Sequence, residues 1–172
     1  MKKIAKFHKV SFERFEQDWA DTFDPMDPEI LREIYRGIRL PRRATTGSAG
    51  YDFYLPMAVS LRPGECLTVP TGIRVDIEDG WVLQIYPRSG LGFKYRLQMN
   101  NTVGLIDSDY FYSDNEGHIF VRIINDSREH EILEMKAGQA FVQGIFVSFG
   151  ITTDDEVEAI RNGGIGSTDG SV

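Results

Sequence analysis

The chain has a single cysteine, Cys66, among its 172 residues. That excludes an intrachain disulfide and any metal cluster built from several thiolates. Within "GECLTVP" this cysteine reads as a buried strand residue. Histidine is equally scarce: His8, His118 and His130 stand in different contexts without ligand spacing, and each reads as a surface or strand residue. No serine sits in a nucleophile elbow, which disfavours covalent catalysis. No run approaches the ~20 apolar residues of a membrane span, and the basic start "MKKIAKFHKVSF" lacks a signal peptide's apolar stretch. A cytoplasmic location without a membrane partner is therefore expected. Positive charge is also short, with 19 Lys and Arg against 26 Asp and Glu and a net charge of −7. Such a surface repels phosphate backbones, so a nucleic-acid polymer is not the expected partner. A nucleotide stays compatible, because backbone amides and one or two arginines bind a small anion locally.

What the sequence does have is apolar material, 41% of its residues, enough for one domain of this length to bury a core. Before Pro41 the spacing predicts two short helices. In "SFERFEQDWADTF" Phe12, Phe15, Trp19 and Phe23 recur at helical intervals behind Ser11 as N-cap. In "DPEILREIYRGIR" Asp27 caps, Pro28 suits the first turn, Ile30 and Ile34 share a face, and Gly37 can end the helix. This extension, residues 1–40, reads as a packing appendage; its aromatics also suit a grip on a neighbouring subunit or a docking face for a regulatory protein. From Tyr51 the texture changes to short β-rich runs punctuated by turn signals such as Pro63-Gly64 and Asp79-Gly80. That is the pattern of an all-β sandwich or barrel over 41–150, with no long helix between Tyr51 and Phe149. The remainder, 151–172, ends in "RNGGIGSTDGSV", whose glycines and small polar residues suit either disorder or a pliant lid.

Four segments depart from plain alternation. In "GSAGYD", Gly47 to Asp52, small residues let the backbone approach something closely and end on an acid, although a turn entering a strand explains them too. "PRSGLG", Pro87 to Gly92, reads as a compact turn whose amides, with Arg88 and Ser89, can form an anion nest. In "NNTVGLIDSDY" an apolar strand runs into Asp107, Asp109 and Tyr110. These residues suit a held water and a ring against a substrate, a paired-carboxylate metal site on one side of an extended segment, or a plain turn. Gln143 is a lone amide in the apolar "GQAFVQGIF", hence a structural hydrogen-bonder or a residue facing a cavity.

Together these segments resemble the ordered motif set of the homotrimeric dUTPases (dUTP diphosphatases), over about Leu40 to Thr168. "GSAGYDF", "PRSGLG", "NTVGLIDSDY", "GQAFVQGIF" and "RNGGIGST" are similar to the first to fifth motifs in order. The helical extension and the longer stretch "FYSDNEGHIF" after Tyr110 resemble members from Gram-positive bacteria and their phages. The resemblance implies a jelly-roll-like distorted β-barrel, three copies of which share active sites, acting with Mg²⁺ on dUTP to give dUMP and pyrophosphate. It implies that Asp107 activates the attacking water and that Tyr110 packs under the deoxyribose, excluding a ribose 2′-hydroxyl. Asn101 and the backbone of Gly104, Leu105 and Ile106 would read the uracil edge; Ser89 and Gly90, backed by Arg88, would bind the phosphate chain. Asp52 and Gln143 would hold Mg²⁺ through its waters, while Arg161, Ile165, Gly166, Ser167 and Thr168 would close over the nucleotide from another subunit's tail.

The chain departs from the family pattern in three places. Ile165 stands where a phenylalanine usually stacks on uracil, Ala140 where the fourth motif usually has arginine, and the tail is one residue shorter after Arg161. Stacking on an aromatic contributes about 1 to 3 kcal/mol, so a raised KM is expected, with Ile165→Phe lowering it. Two other functions fit the same motifs: dCTP deamination, which needs a further catalytic acid near the pyrimidine, and a nucleotide sensor that binds dUTP and a protein partner with little turnover.

Overall fold

Alternation sets the strands. In "FVRIIN", Phe120 to Asn125, the side chains of Val121, Ile123 and Asn125 point into the core and Arg122 points out. The computed structural model describes residues 1–159 and 161. Its elements run β1 (Ala5–Lys9), α1 (Phe12–Thr22), α2 (Pro28–Gly37), β2 (Arg42–Arg43), β3 (Tyr51–Tyr54), β4 (Val59–Leu61), β5 (Cys66–Pro70), β6 (Ile73–Ile77) and β7 (Trp81–Pro87). They continue with α3 (Ser89–Tyr95), β8 (Leu97–Met99), β9 (Gly104–Ile106), a 3-10 helix (Ser108–Tyr112), β10 (Phe120–Asn125), β11 (Leu133–Met135) and β12 (Ala140–Ser148). The strands form a five-stranded sheet β2-β3-β12-β7-β9, a three-stranded sheet β5-β10-β8, and the pairs β1-β6 and β11-β4. Every pairing is antiparallel, as expected of a jelly-roll-like barrel.

The amino-terminal helices form where the spacing puts them. Ser11 caps α1 by accepting the Arg14 N–H at 3.1 Å, and Asp27 caps α2 by accepting the Glu29 N–H at 2.8 Å. On α2 the inward stripe is Leu31, Ile34 and Tyr35, at i, i+3 and i+4, and Ile30 is exposed. The expected Ile30–Ile34 face is thus rotated by one residue. Nor is the extension only an appendage. Phe15 and Trp19 of α1 lie fully inside the same core as the barrel residues Val69, Val75 and Ile119. The extension also contributes β1, which pairs with β6 from Ala5↔Ile77 to Lys9↔Ile73 and sets the Phe7 ring edge-on to Phe53. Phe7, Phe15 and Trp19 are thus buried in the core of their own chain, and Phe12 and Phe23 are partly buried against it.

Two residues sit opposite to expectation. Cys66 is exposed: it opens β5 across from Ile124, on an outward register position, and its Sγ lies 3.4 Å from Asn100 Oδ1. His118, expected at the surface or in a strand, lies in the loop before β10 and is fully buried. Buried Asn125 makes three bonds, from Nδ2 to the Leu61 and Glu131 carbonyls and to Oδ1 from the Ser127 N–H. Its amide is satisfied, as a buried amide must be. Among the described residues no helix is long and apolar enough to cross a membrane.

Candidate active site

The five-stranded sheet brings all four motif segments onto neighbouring strands, β3, β12, β7 and β9. Gln143 of β12 stands opposite Asp52 of β3 on one side and opposite Tyr86 of β7 on the other, with Val142 opposite Pro87. The register of β12 against β3 shifts between Ala140 and Val142, which re-aims the start of the strand. Gln143 Nε2 donates to the Pro87 carbonyl at 3.2 Å. Its Oε1 is approached by Gly50, where an added Cβ would lie 2.5 Å from that oxygen. Of the small residues of "GSAGYD", Gly50 thus serves a close approach of backbone to amide, whereas Gly47 has open space around it. Beside them Arg88 Nε meets Asp52 Oδ1 at 3.0 Å, an ion pair with both side chains partly exposed.

The segment expected as a compact turn, Pro87–Gly92, instead opens a helix. Gly92 N–H donates to the Arg88 carbonyl at 2.9 Å, and α3 runs on to Tyr95 until Arg96, at φ 49°, stops it in the left-handed region. Its glycines conceal it in the sequence, since each costs a helix about 1 kcal/mol relative to alanine. The amides of Ser89, Gly90 and Leu91 come before the first intrahelical donor, the Gly92 N–H, and Arg88 as N-cap offers them no side-chain bond. A cavity of about 210 Å³ opens beside them, lined also by Gln139 and Ala140.

The third motif begins in β9, which pairs with β7 through Gly104↔Ile85, Leu105↔Gln84 and Ile106↔Leu83. A Cβ on Gly104 would press to 3.2 Å on Ile85 Cβ, so glycine keeps this strand close. Asn101 is exposed in the preceding turn, where its carbonyl accepts the Val103 N–H at 2.8 Å. Asp107 ends the strand as N-cap of the 3-10 helix but makes no side-chain cap bond, which leaves its carboxylate for other partners. The chain is not extended through Asp109, contrary to expectation, yet both acids meet one group. Arg161 Nη2 lies 2.8 Å from Asp107 Oδ2 and its Nε 3.2 Å from Asp109 Oδ1, within one chain. A guanidinium between them argues against a paired-carboxylate metal site. Among the described residues no group of three His, Cys, Asp or Glu side chains is placed to hold a metal.

Tyr110 is buried, with Arg161 Cζ 5.7 Å from the centre of its ring. Its hydroxyl donates to the His118 carbonyl at 2.7 Å and accepts from Asn115 Nδ2 at 2.9 Å. Burial pushes the phenol pKa up, against the smaller lowering effect of the Asn115 bond, so the hydroxyl stays protonated and donating. The stretch after Tyr110 forms a tied loop rather than a hairpin. Ser11 and Arg74 hold Glu116, and Arg74 Nη2 donates to the Phe111 carbonyl at 2.6 Å. The sequence reads His118 only as a surface or strand residue and does not single out Asn115 and Glu116; what signals them there is only the extra length of this stretch. Ile165, Gly166, Ser167 and Thr168 lie outside the described residues.

Electrostatics separate the two halves of this sheet. Around Asp109 a cleft is lined by Asp76, Glu78 and Asp79, which repels anions, whereas the α3 end presents Arg88 and free amides. The dUTPase family profile matches residues 36–169. A deoxyuridine 5'-triphosphate nucleotidohydrolase of Lactococcus lactis is 42% identical over 135 residues, 77% of this chain and 89% of that protein. One of Paraburkholderia phytofirmans is 40% identical over 149 residues, 83% of this chain and 97% of that protein. Among solved structures, the dUTPase of Streptococcus mutans superposes with TM-score 0.63 at 30% identity, covering 85% of this chain and 97% of that one. The dUTPase of the S. aureus phage phi11 shares the fold, with TM-score 0.62 at 20% identity over 92% of this chain and 99% of that one. With the profile spanning β2 to the glycine-rich tail and the motif strands adjacent in one sheet, this chain belongs to the dUTPase family.

Proposed function

We propose that this chain hydrolyses dUTP to dUMP and pyrophosphate, with Asp107 as the base that takes a proton from the attacking water. The observation that carries the assignment is the state of Asp107: a half-exposed carboxylate at the end of an apolar strand, with no cap bond and, among the described residues, only Arg161 as side-chain partner. Water oxygen bonds to the α-phosphorus, the bond from that phosphorus to the bridging oxygen breaks, and pyrophosphate leaves with the electron pair. Such a reaction needs alignment, charge neutralisation and one base, not a covalent intermediate. In this reading Asn101 and the backbone of Gly104 to Ile106 face uracil, and Tyr110 lies under the sugar on the face that Arg161 covers. Ser89, Gly90 and Arg88 receive the phosphates, where the first-turn amides of α3 have no intrahelical acceptor and no side-chain cap. The product supplies thymidylate synthesis and the reaction keeps uracil out of DNA; the cytoplasm is where both are needed.

The donor set suits a hard cation carried by the substrate. Asp52 and Gln143 offer one carboxylate and one amide oxygen on facing strands, too few for a protein cage but suited to a hydrated Mg²⁺. Bound there, Mg²⁺ would neutralise charge on the triphosphate. The chain's own part is to orient that pair, through the Pro87 carbonyl on Gln143 and Arg88 on Asp52.

The register of β9 on β7 favours a shared site. Asp107 continues past Ile106, toward Val82, while Ser89 follows Pro87 at the other end of the strand. Five strand residues separate these ends, about 17 Å. A chain therefore holds its base and its phosphate-binding turn apart, and a homotrimer in which neighbours exchange them completes three sites. Arg161, which meets Asp107 and Asp109 of its own chain here, would serve the phosphates of a neighbour's site only after leaving those acids.

Steady-state pyrophosphate release with Mg²⁺ from dUTP, dCTP, dTTP and UTP tests the function. Strong preference for dUTP is expected, and Asp107→Asn should lower turnover by about 10²- to 10⁴-fold while dUTP binding stays within a few fold. Ammonia release from dCTP would make the chain a deaminase, and binding of dUTP without turnover a sensor.

A further inference from the structure

The segment that carries Tyr110 is tied to α1 by polar contacts inside the core. His118 is 0% exposed and Asp18 7%. Gly72 N–H donates to His118 Nε2 at 2.7 Å, so that nitrogen carries its lone pair and the ring proton sits on Nδ1. Nδ1 in turn faces Asp18 Oδ2 at 2.5 Å, and the other Asp18 oxygen meets Arg14 Nη2 at 3.1 Å. The backbone carbonyl of the same histidine accepts the Tyr110 hydroxyl. A second tie joins the start of α1 to this loop, where the Ser11 N–H and hydroxyl donate to Glu116 at 2.8 and 2.6 Å. Between the ties the chain has no slack. Gly117 sits at φ 68°, and a Cβ there would lie 2.6 Å from the Tyr110 carbonyl oxygen.

Apolar residues of similar volume would stabilise the α1 contact as well as a buried, hydrogen-bonded Asp–His pair does. What the pair adds is position. It fixes which turn of α1 faces His118, and His118 fixes the hydroxyl end of Tyr110. We propose that Asp18 and His118 are positioning residues which, through the His118 carbonyl, set the Tyr110 ring from the amino-terminal helix and so control rejection of a ribose 2′-hydroxyl. The inference rests on the reading of Tyr110 as the residue under the deoxyribose.

The test is the ratio of kcat/KM for dUTP to that for UTP, measured with the full chain and with Asp18→Ala and Asp18→Asn. In Asp18→Ala the ratio should fall about tenfold, with kcat for dUTP within about threefold, because a displaced ring admits the extra hydroxyl. In Asp18→Asn the amide oxygen still accepts from Nδ1–H, and the ratio should return toward wild type. Loss of folded protein alone lowers both substrates in proportion and leaves the ratio untouched. An unchanged ratio in Asp18→Ala overturns the proposal, as does an Asp18→Asn that behaves like Asp18→Ala. If Asp18→Ala does not fold, Ser11→Ala decides: it removes the hydroxyl bond of the second tie together with the α1 cap bond to the Arg14 N–H, and a smaller fall is expected where an unchanged ratio refutes. A wild-type chain without preference for dUTP over UTP would overturn the sugar reading itself, a separate failure.

Discussion

α1 and α3 are both short helices, and they are used in opposite ways. α1 turns its aromatic stripe inward, buries Phe15, Asp18 and Trp19, and is capped at Ser11. α3 buries no residue, has no side-chain cap, and leaves Phe93 90% exposed. The first is held by what it contributes to the core. The second packs only Leu91 and Tyr95 partly against the core, and its first-turn amides have no intrahelical acceptor. A helix that lies outside the family's motif set is thus part of the barrel's stability, and one inside the motif set adds little burial of its own.

The sharpest way to break this contrast is to truncate one side chain in each helix. Phe15→Ala should cost about 3 to 5 kcal/mol in urea unfolding, the range for a fully buried aromatic. The folded fraction should keep its KM for dUTP. Ser89→Ala should do the reverse. Its unfolding free energy should stay within about 0.5 kcal/mol of wild type, while kcat/KM falls about 10- to 100-fold as a phosphate donor is lost. Comparable stability losses in both variants would show that α3 is packed in a way one chain does not reveal.

A smaller effect concerns acid. Burial pushes the Glu116 carboxyl pKa up, but the Ser11 hydroxyl and N–H bonds and the charges of Arg74 and Arg14 outweigh it and hold it below the ordinary glutamate value. A depressed carboxyl stabilises the fold above its unfolded pKa and loses that contribution as pH falls through the lower folded value. In thermal melts the advantage of wild type over Glu116→Gln should therefore shrink in that acid window. Ser89→Ala should show wild-type pH dependence, since it leaves the α1 ties intact.

How much of this was legible in the sequence depends on whether a residue's role is local. Ser11, Asp27 and Pro28 announce helix starts because a cap acts within one turn. The β-runs from Tyr51 are legible because their period is 2. The motif segments gave the family and the active-site residues of the reading by resemblance. What failed was whatever a distant neighbour decides. Cys66 looked buried because its neighbours are apolar, and the pairing of β5 with β10 faces it outward. His118 looked like a surface residue because Asp18, 100 positions away, is its partner. α3 was hidden by its glycines, and β1 by a strand partner, β6, more than sixty residues on.

The antiparallel register that sends Asp107 and Ser89 to opposite ends of β7 has a genetic consequence. If each site is assembled from different copies, a cell carrying two alleles makes mixed assemblies. One allele lacking the base and another lacking the phosphate contact would then rescue each other in part, because some sites draw the sound half from each. An allele with both lesions in one chain would instead poison two sites for every copy incorporated. Dominance would follow from which ends of one strand are damaged, not from how badly either is.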